Sequence, residues 1–175
     1  MRRALAALAL VVVAAAAAYW FHFRDTTVSA NVHFPVLTST IGSGEEAVGV
    51  SSTGQIVRFL PLPEEPPLPQ LPLSEVPKGG RLAGHVLEQA LVLGAVPAAL
   101  QPYVERSYYG ESGVDVDLSS GIELRFGDAS QAARKWKAAA TVLADPAIST
   151  LDYVDLHAPD HPSVGGSGHT LPPAP

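Results

Sequence analysis

Hydrophobic and polar positions fall into four patterns along this chain, and each predicts a different kind of element. The first is an unbroken apolar run, Ala4 to Phe21, carrying no charge and followed by His22, Phe23 and Arg24-Asp25. As a helix rising about 1.5 Å per residue, Ala4 to Phe23 spans roughly 30 Å, the hydrocarbon thickness of a bilayer. This predicts an N-terminal transmembrane helix. Arg2 and Arg3 precede it and Tyr19, Trp20 and Phe21 close its far end, so the short N-terminus is expected in the cytoplasm and the rest outside, at the plasma (inner) membrane. A cleaved secretory signal ending at Val28-Ser29-Ala30 is the competing reading. Against it, the apolar run exceeds a usual signal core of about 7 to 15 residues. Both readings export residues 31 to 175.

The second pattern is strict alternation. Val114, Val116 and Leu118 alternate with Asp115 and Asp117; across Ser119-Ser120-Gly121, Ile122, Leu124 and Phe126 alternate with Glu123 and Arg125. Period two with apolar residues on one side predicts antiparallel strands with one wet face. Val104 to Tyr108 is expected to precede them as a third strand, and Leu151 to His157 to follow later as the last. Ala47 to Ser51 and Gln55 to Leu60 read as a hairpin turning at Ser52-Thr53-Gly54. The third pattern is a helical stripe, found twice. Leu82, Val86, Leu87, Ala90, Leu91 and Leu93 mark one helix, stopped by Gly94. Ala132, Ala133, Trp136, Ala139, Ala140 and Leu143 mark a second, with Arg134, Lys135 and Lys137 facing away and Asp128 or Ser130 placed to cap its start.

The fourth pattern is punctuation. Arg24 to Gly44 reads as a polar spacer. Pro61 to Pro77 carries seven prolines in seventeen residues, which removes ladder donors and predicts a stiff crossover packed along the domain in preference to a ligand for a proline-binding groove. Gly165 to Pro175 reads as a disordered tail. The fold class expected is therefore α+β: a transmembrane helix (1–23), a spacer (24–44), a mostly antiparallel β-sheet domain with two packed helices (45–164) and a tail (165–175).

Composition narrows the chemistry. Nine of the eleven basic residues and all seventeen acidic ones follow Phe23, and an acidic exported part argues against a nucleic-acid partner. The absence of cysteine excludes disulfides, thiolate metal sites and cysteine nucleophiles. His157 and His161 flank Asp160, but Pro159 and Pro162 forbid the helix that would align them as metal ligands. Gly165-Gly166-Ser167-Gly168 lacks the second glycine of a nucleophile elbow. Asp115 and Asp117 share a strand face and offer the one carboxylate pair a hydrolase could use, on what the alternation marks as a solvated face. No cofactor is expected, and no catalysis.

The C-terminal half resembles the extracytoplasmic β domain of the bacterial cell-division family FtsQ/DivIB. The matching residues are Leu124-Arg125-Phe126-Gly127-Asp128, Ala133, Lys135-Trp136, Val142-Leu143, and Leu151-Asp152-Tyr153-Val154-Asp155-Leu156 with Pro162, Val164 and Gly165. The resemblance implies a membrane-anchored, non-catalytic divisome scaffold. In such proteins the last strand of the β domain is a sheet edge on which FtsB, with FtsL beside it, adds a strand. Leu151, Asp152, Tyr153, Val154, Asp155 and Leu156 align with that strand and are the partner-binding residues the resemblance implies. The chain departs from the family in having only Arg24 to Gly44 where a POTRA domain is expected. The alternatives are an exported cell-wall-binding or hydrolytic domain using the Asp115/Asp117 face, and a degenerate paralogue.

Overall fold

A computed structural model describes residues 35–64 and 67–172. Eight strands and two α-helices follow one another in it: β1 (Leu37–Ile41), β2 (Val48–Ser51), β3 (Ile56–Val57), α1 (Gly84–Gly94), β4 (Val104–Gly110), β5 (Gly113–Leu118), β6 (Glu123–Gly127), α2 (Ala132–Leu143), β7 (Thr150–Asp155) and β8 (Ser163–Thr170). They form a three-stranded sheet in the order β1-β2-β3 and a five-stranded sheet in the order β4-β5-β6-β7-β8. All neighbours are antiparallel except β6 and β7, which run parallel on either side of the α2 crossover.

This corrects the expected architecture. There are two sheets where one was expected, and among the described residues no helix is long and apolar enough to cross a membrane. The segment read as a transmembrane helix, Ala4 to Phe23, lies outside the described residues. Five residues of the expected spacer form β1, paired with β2 from Leu37 to Ile41. The expected tail is in large part β8.

The proline-rich crossover joins the two sheets. The Thr40 amide donates to the Pro69 carbonyl (3.0 Å) and the Leu71 amide to the Thr40 carbonyl (2.8 Å), while Gln70 bridges both Thr40 and Arg106 in parallel. The next residue that would turn an N–H toward β4 is Pro72, which has none, so pairing with β4 stops after one bridge. The chain leaves an open groove there of about 830 Å³, lined by Gln70–Leu73 and Glu105–Tyr108.

The core lies between the five-stranded sheet and the helices. Val116, Leu118, Leu124, Phe126, Val154 and Leu156 are fully buried. Trp136 of α2 packs on Phe126 with centroids 4.9 Å apart and donates its indole N–H to the Val92 carbonyl of α1 (2.8 Å), so its large apolar surface is buried without stranding its polar atom. Neither residue proposed as a cap begins α2, which starts at Gln131 in the left-handed region (φ 53°) with no side-chain cap. Asp128 instead accepts from the Ser130 amide (3.0 Å) and the Lys135 ammonium (2.8 Å). Lys135, expected to face away, is only 3% exposed.

Candidate interaction surface

The strand expected at the edge is not there. β7 pairs with β6 at Glu123↔Tyr153, Leu124↔Val154 and Arg125↔Asp155, and with β8 from Thr150↔Thr170 to Asp155↔Ser163. Its main chain is taken on both sides, which overturns the edge role expected for Leu151 to Leu156. Within that set Leu151, Val154 and Leu156 belong to the core, while Asp152, Tyr153 and Asp155 are half-buried.

Among the described residues the open edge of the large sheet is β8. The Leu156 amide donates to the Arg125 carbonyl on β6 (2.9 Å), and by the two-residue alternation of a strand the Val154 amide also faces β6. Val164, opposite Val154, therefore turns its N–H and C=O outward, away from β7. The residue is 42% exposed. The register breaks between Leu151↔His169 and Tyr153↔Gly165, with Asp152 alone on β7 facing Gly166, Ser167 and Gly168 on β8. Gly166 takes φ +79° in this bulge, and Asp152 Oδ1 accepts the Gly168 amide (2.7 Å). A bulge of this kind twists an edge and limits indiscriminate pairing.

The face of the large sheet away from the helices carries a polar network in cross-strand rows. One row is Tyr108, Asp115, Arg125 and Asp155; the next is Arg106, Asp117, Glu123 and Tyr153. Arg106 Nε donates to Asp117 (2.7 Å) and the Tyr108 hydroxyl to Glu123 (3.0 Å). Arg125 pairs with Glu123 and lays its guanidinium 4.0 Å over the Tyr153 ring. Tyr153 in turn covers Gly165 of β8, where an added Cβ would lie 2.6 Å from the ring Cζ and the hydroxyl. His157 donates its amide to Asp155 (2.9 Å), and its ring nitrogens lie 2.7 Å from Asp155 Oδ1 and 3.3 Å from the Ser112 carbonyl.

Asp115, expected on the solvated face, is only 8% exposed, and its Oδ1 has no hydrogen-bond partner. Burial, reinforced by the Glu123 charge and opposed by Arg125 and His157, pushes its carboxyl up to about 6. Burial, and then the bond to Glu123, also raise the Tyr108 hydroxyl. For Asp155 burial acts upward, but the amide and ring of His157 outweigh it and hold the carboxyl below its usual range. Among the described residues no group of three or more His, Cys, Asp or Glu side chains is placed to hold a metal ion.

The site that sequence reasoning missed is β8. Its glycines hide it, and the only signal was the short apolar mark of Val164 behind Pro162. No protein-family model matches the chain, and no curated protein matches it.

Proposed function

We propose that this chain is a non-catalytic docking scaffold that receives an extended partner segment on the outer edge of β8. The observation that carries the reading is the outward-facing main chain at Val164, on a sheet whose opposite margin, β4, is met by the proline-rich crossover at a single bridge from Gln70 to Arg106. A strand added there satisfies unpaired N–H and C=O groups, the general logic of β-augmentation. The resemblance to FtsQ/DivIB supplies the partner class: small FtsB/FtsL-like cell-division proteins acting at a septum, with the docking strand moved from Leu151–Leu156 to the strand that follows it.

Val164→Pro tests this without touching the β7–β8 ladder, because the N–H it removes faces outward and proline is tolerated on a sheet edge. Co-purification with an FtsB/FtsL-like pair is expected to fall at least tenfold for Val164→Pro and to persist for Val164→Ala. Undiminished recovery with Val164→Pro removes the edge reading. A zymogram on purified peptidoglycan is expected to show no cleared band; a band lost in Asp115→Asn replaces the scaffold with a hydrolase.

A further inference from the structure

Asp115 is placed where an ionised carboxylate has little to satisfy it. It sits mid-strand on β5, nine-tenths buried, with Oδ1 unpartnered and Oδ2 against Gly110, where an added Cβ would come within 2.6 Å. The titratable and charged groups acting on it come from each neighbouring element: Tyr108 from β4, Asp117 from its own strand, Glu123 and Arg125 from β6, and His157 from the chain after β7. Each donor residue among them has a bond to another group. Tyr108 gives its proton to Glu123, Arg125 Nε is bonded to Glu123, and His157 is spent on Asp155 and Ser112. Three other carboxylates, Asp117, Glu123 and Asp155, share the face. A proton is the one ligand that reaches a buried oxygen without opening the sheet, and it removes a charge that the surroundings disfavour.

A route leads from that oxygen to the edge. Arg125 stands directly across from Asp115, its guanidinium lies over Tyr153, and the Tyr153 ring rests on Gly165 of β8. We propose that Asp115 is a proton-operated control on the β8 edge: ionised, it draws the Arg125 charge inward across the sheet; neutral, it releases that charge toward Tyr153 and the rim beside Gly165. The purpose of this control rests on the docking reading above, but its detection does not.

The test is a pH titration by NMR on the full chain without any partner, following the Asp115 carboxyl carbon, the Tyr153 ring and the Gly165 amide between pH 7.5 and 4.5 in wild type, Asp115→Asn and His157→Asn. The expected result is that Asp115 titrates well above an ordinary carboxylate. Tyr153 and Gly165 then follow with the midpoint that Asp115 shows in the same protein, in wild type and in His157→Asn, where loss of His157 moves all three up together, and they lose that step in Asp115→Asn. An ordinary Asp115 midpoint overturns the proposal, as does a Tyr153 or Gly165 response that is absent or disappears with His157. Should Asp115→Asn fail to fold, the wild-type and His157→Asn midpoints still decide between these outcomes. Because no partner is present, a failure here is distinct from a failure of docking, which Val164→Pro decides on its own.

Discussion

Lys135 and Asp115 show what a binary pattern can and cannot say about a single residue. Helical periodicity grouped Lys135 with Arg134 and Lys137 as outward-facing. Its ammonium instead turns back under the end of β6 and donates to the Phe126 carbonyl (2.8 Å), the Asp128 carbonyl (3.0 Å) and the Asp128 carboxylate (2.8 Å). A long stem buried with all three donors satisfied is stable, and no periodicity forecasts it. Lys135→Met keeps the stem and removes the donors, leaving the buried Phe126 carbonyl unpaired; urea unfolding at neutral pH is expected to show a loss of about 2 kcal/mol. The Asp128 carboxylate is 67% exposed, so the ion pair itself adds little to that figure. The bonds from Lys135 and then Ser130 hold Asp128 down to about 2. A depressed carboxyl stabilises the fold above its unfolded value near 4, and this is lost as pH falls toward 2; in Lys135→Met that acid limb is expected to flatten.

Asp115 has the opposite sign. With its folded value raised to about 6 from 3.8, the folded state binds the extra proton between those values. Its contribution is therefore fully present below about pH 4, declines through pH 6 and is lost above. Asp115→Asn is expected to raise stability at pH 7.5 by about 2 kcal/mol, with the gain disappearing below pH 4, as thermal melts across that range would show. No gain at pH 7.5 would mean that the carboxylate is better solvated than its burial indicates. The alternation of β5 correctly placed Asp115 on the face away from the core. It could not show that Tyr108, Arg125 and His157 crowd over that face.

At the scale of elements, the β5–β6 hairpin and the α2 stripe of Ala132, Trp136, Ala139 and Leu143 were legible because each repeats its period over enough residues to be read alone. β8 was not. Gly165, Gly166 and Gly168 have weak strand preference, and pairing with β7 together with the Asp152 cap imposes the extended form. Asp152→Ala is expected to speed hydrogen exchange of the Gly168 amide and to cost about 1 kcal/mol, while exchange in β4, β5 and β6 stays unchanged; an unaltered Gly168 would show that the bulge stands without its cap. The same topology reassigns Val154. Its amide faces β6 in the sheet interior, so Val154→Pro is expected to abolish cooperative unfolding, by a loss of about 3 kcal/mol or more. Circular dichroism of Val154→Pro with native content and a native melt would contradict the β6-β7-β8 order.

At the scale of the whole molecule, the link between the two sheets was half visible. Proline density predicted a crossover that could not be a central strand, yet Gln70 enters the sheet for a single bridge before Pro72 ends it. What makes the edge illegible is that edge status belongs to the assembled sheet: the resemblance aligns Leu151 to Leu156 with the margin, and among the described residues the eight of Ser163–Thr170 lie outside it. On the docking proposal, this margin is open in the free chain and closed by a partner. Amide hydrogen exchange at Val164 and Gly165, with and without an FtsB/FtsL-like pair, tests it most directly. In the free chain Gly165, which faces β7, is expected to be protected while Val164 exchanges fast, and the partner is expected to slow Val164 alone. A Val164 amide already protected in the free chain, or one still fast in the bound state, would contradict it.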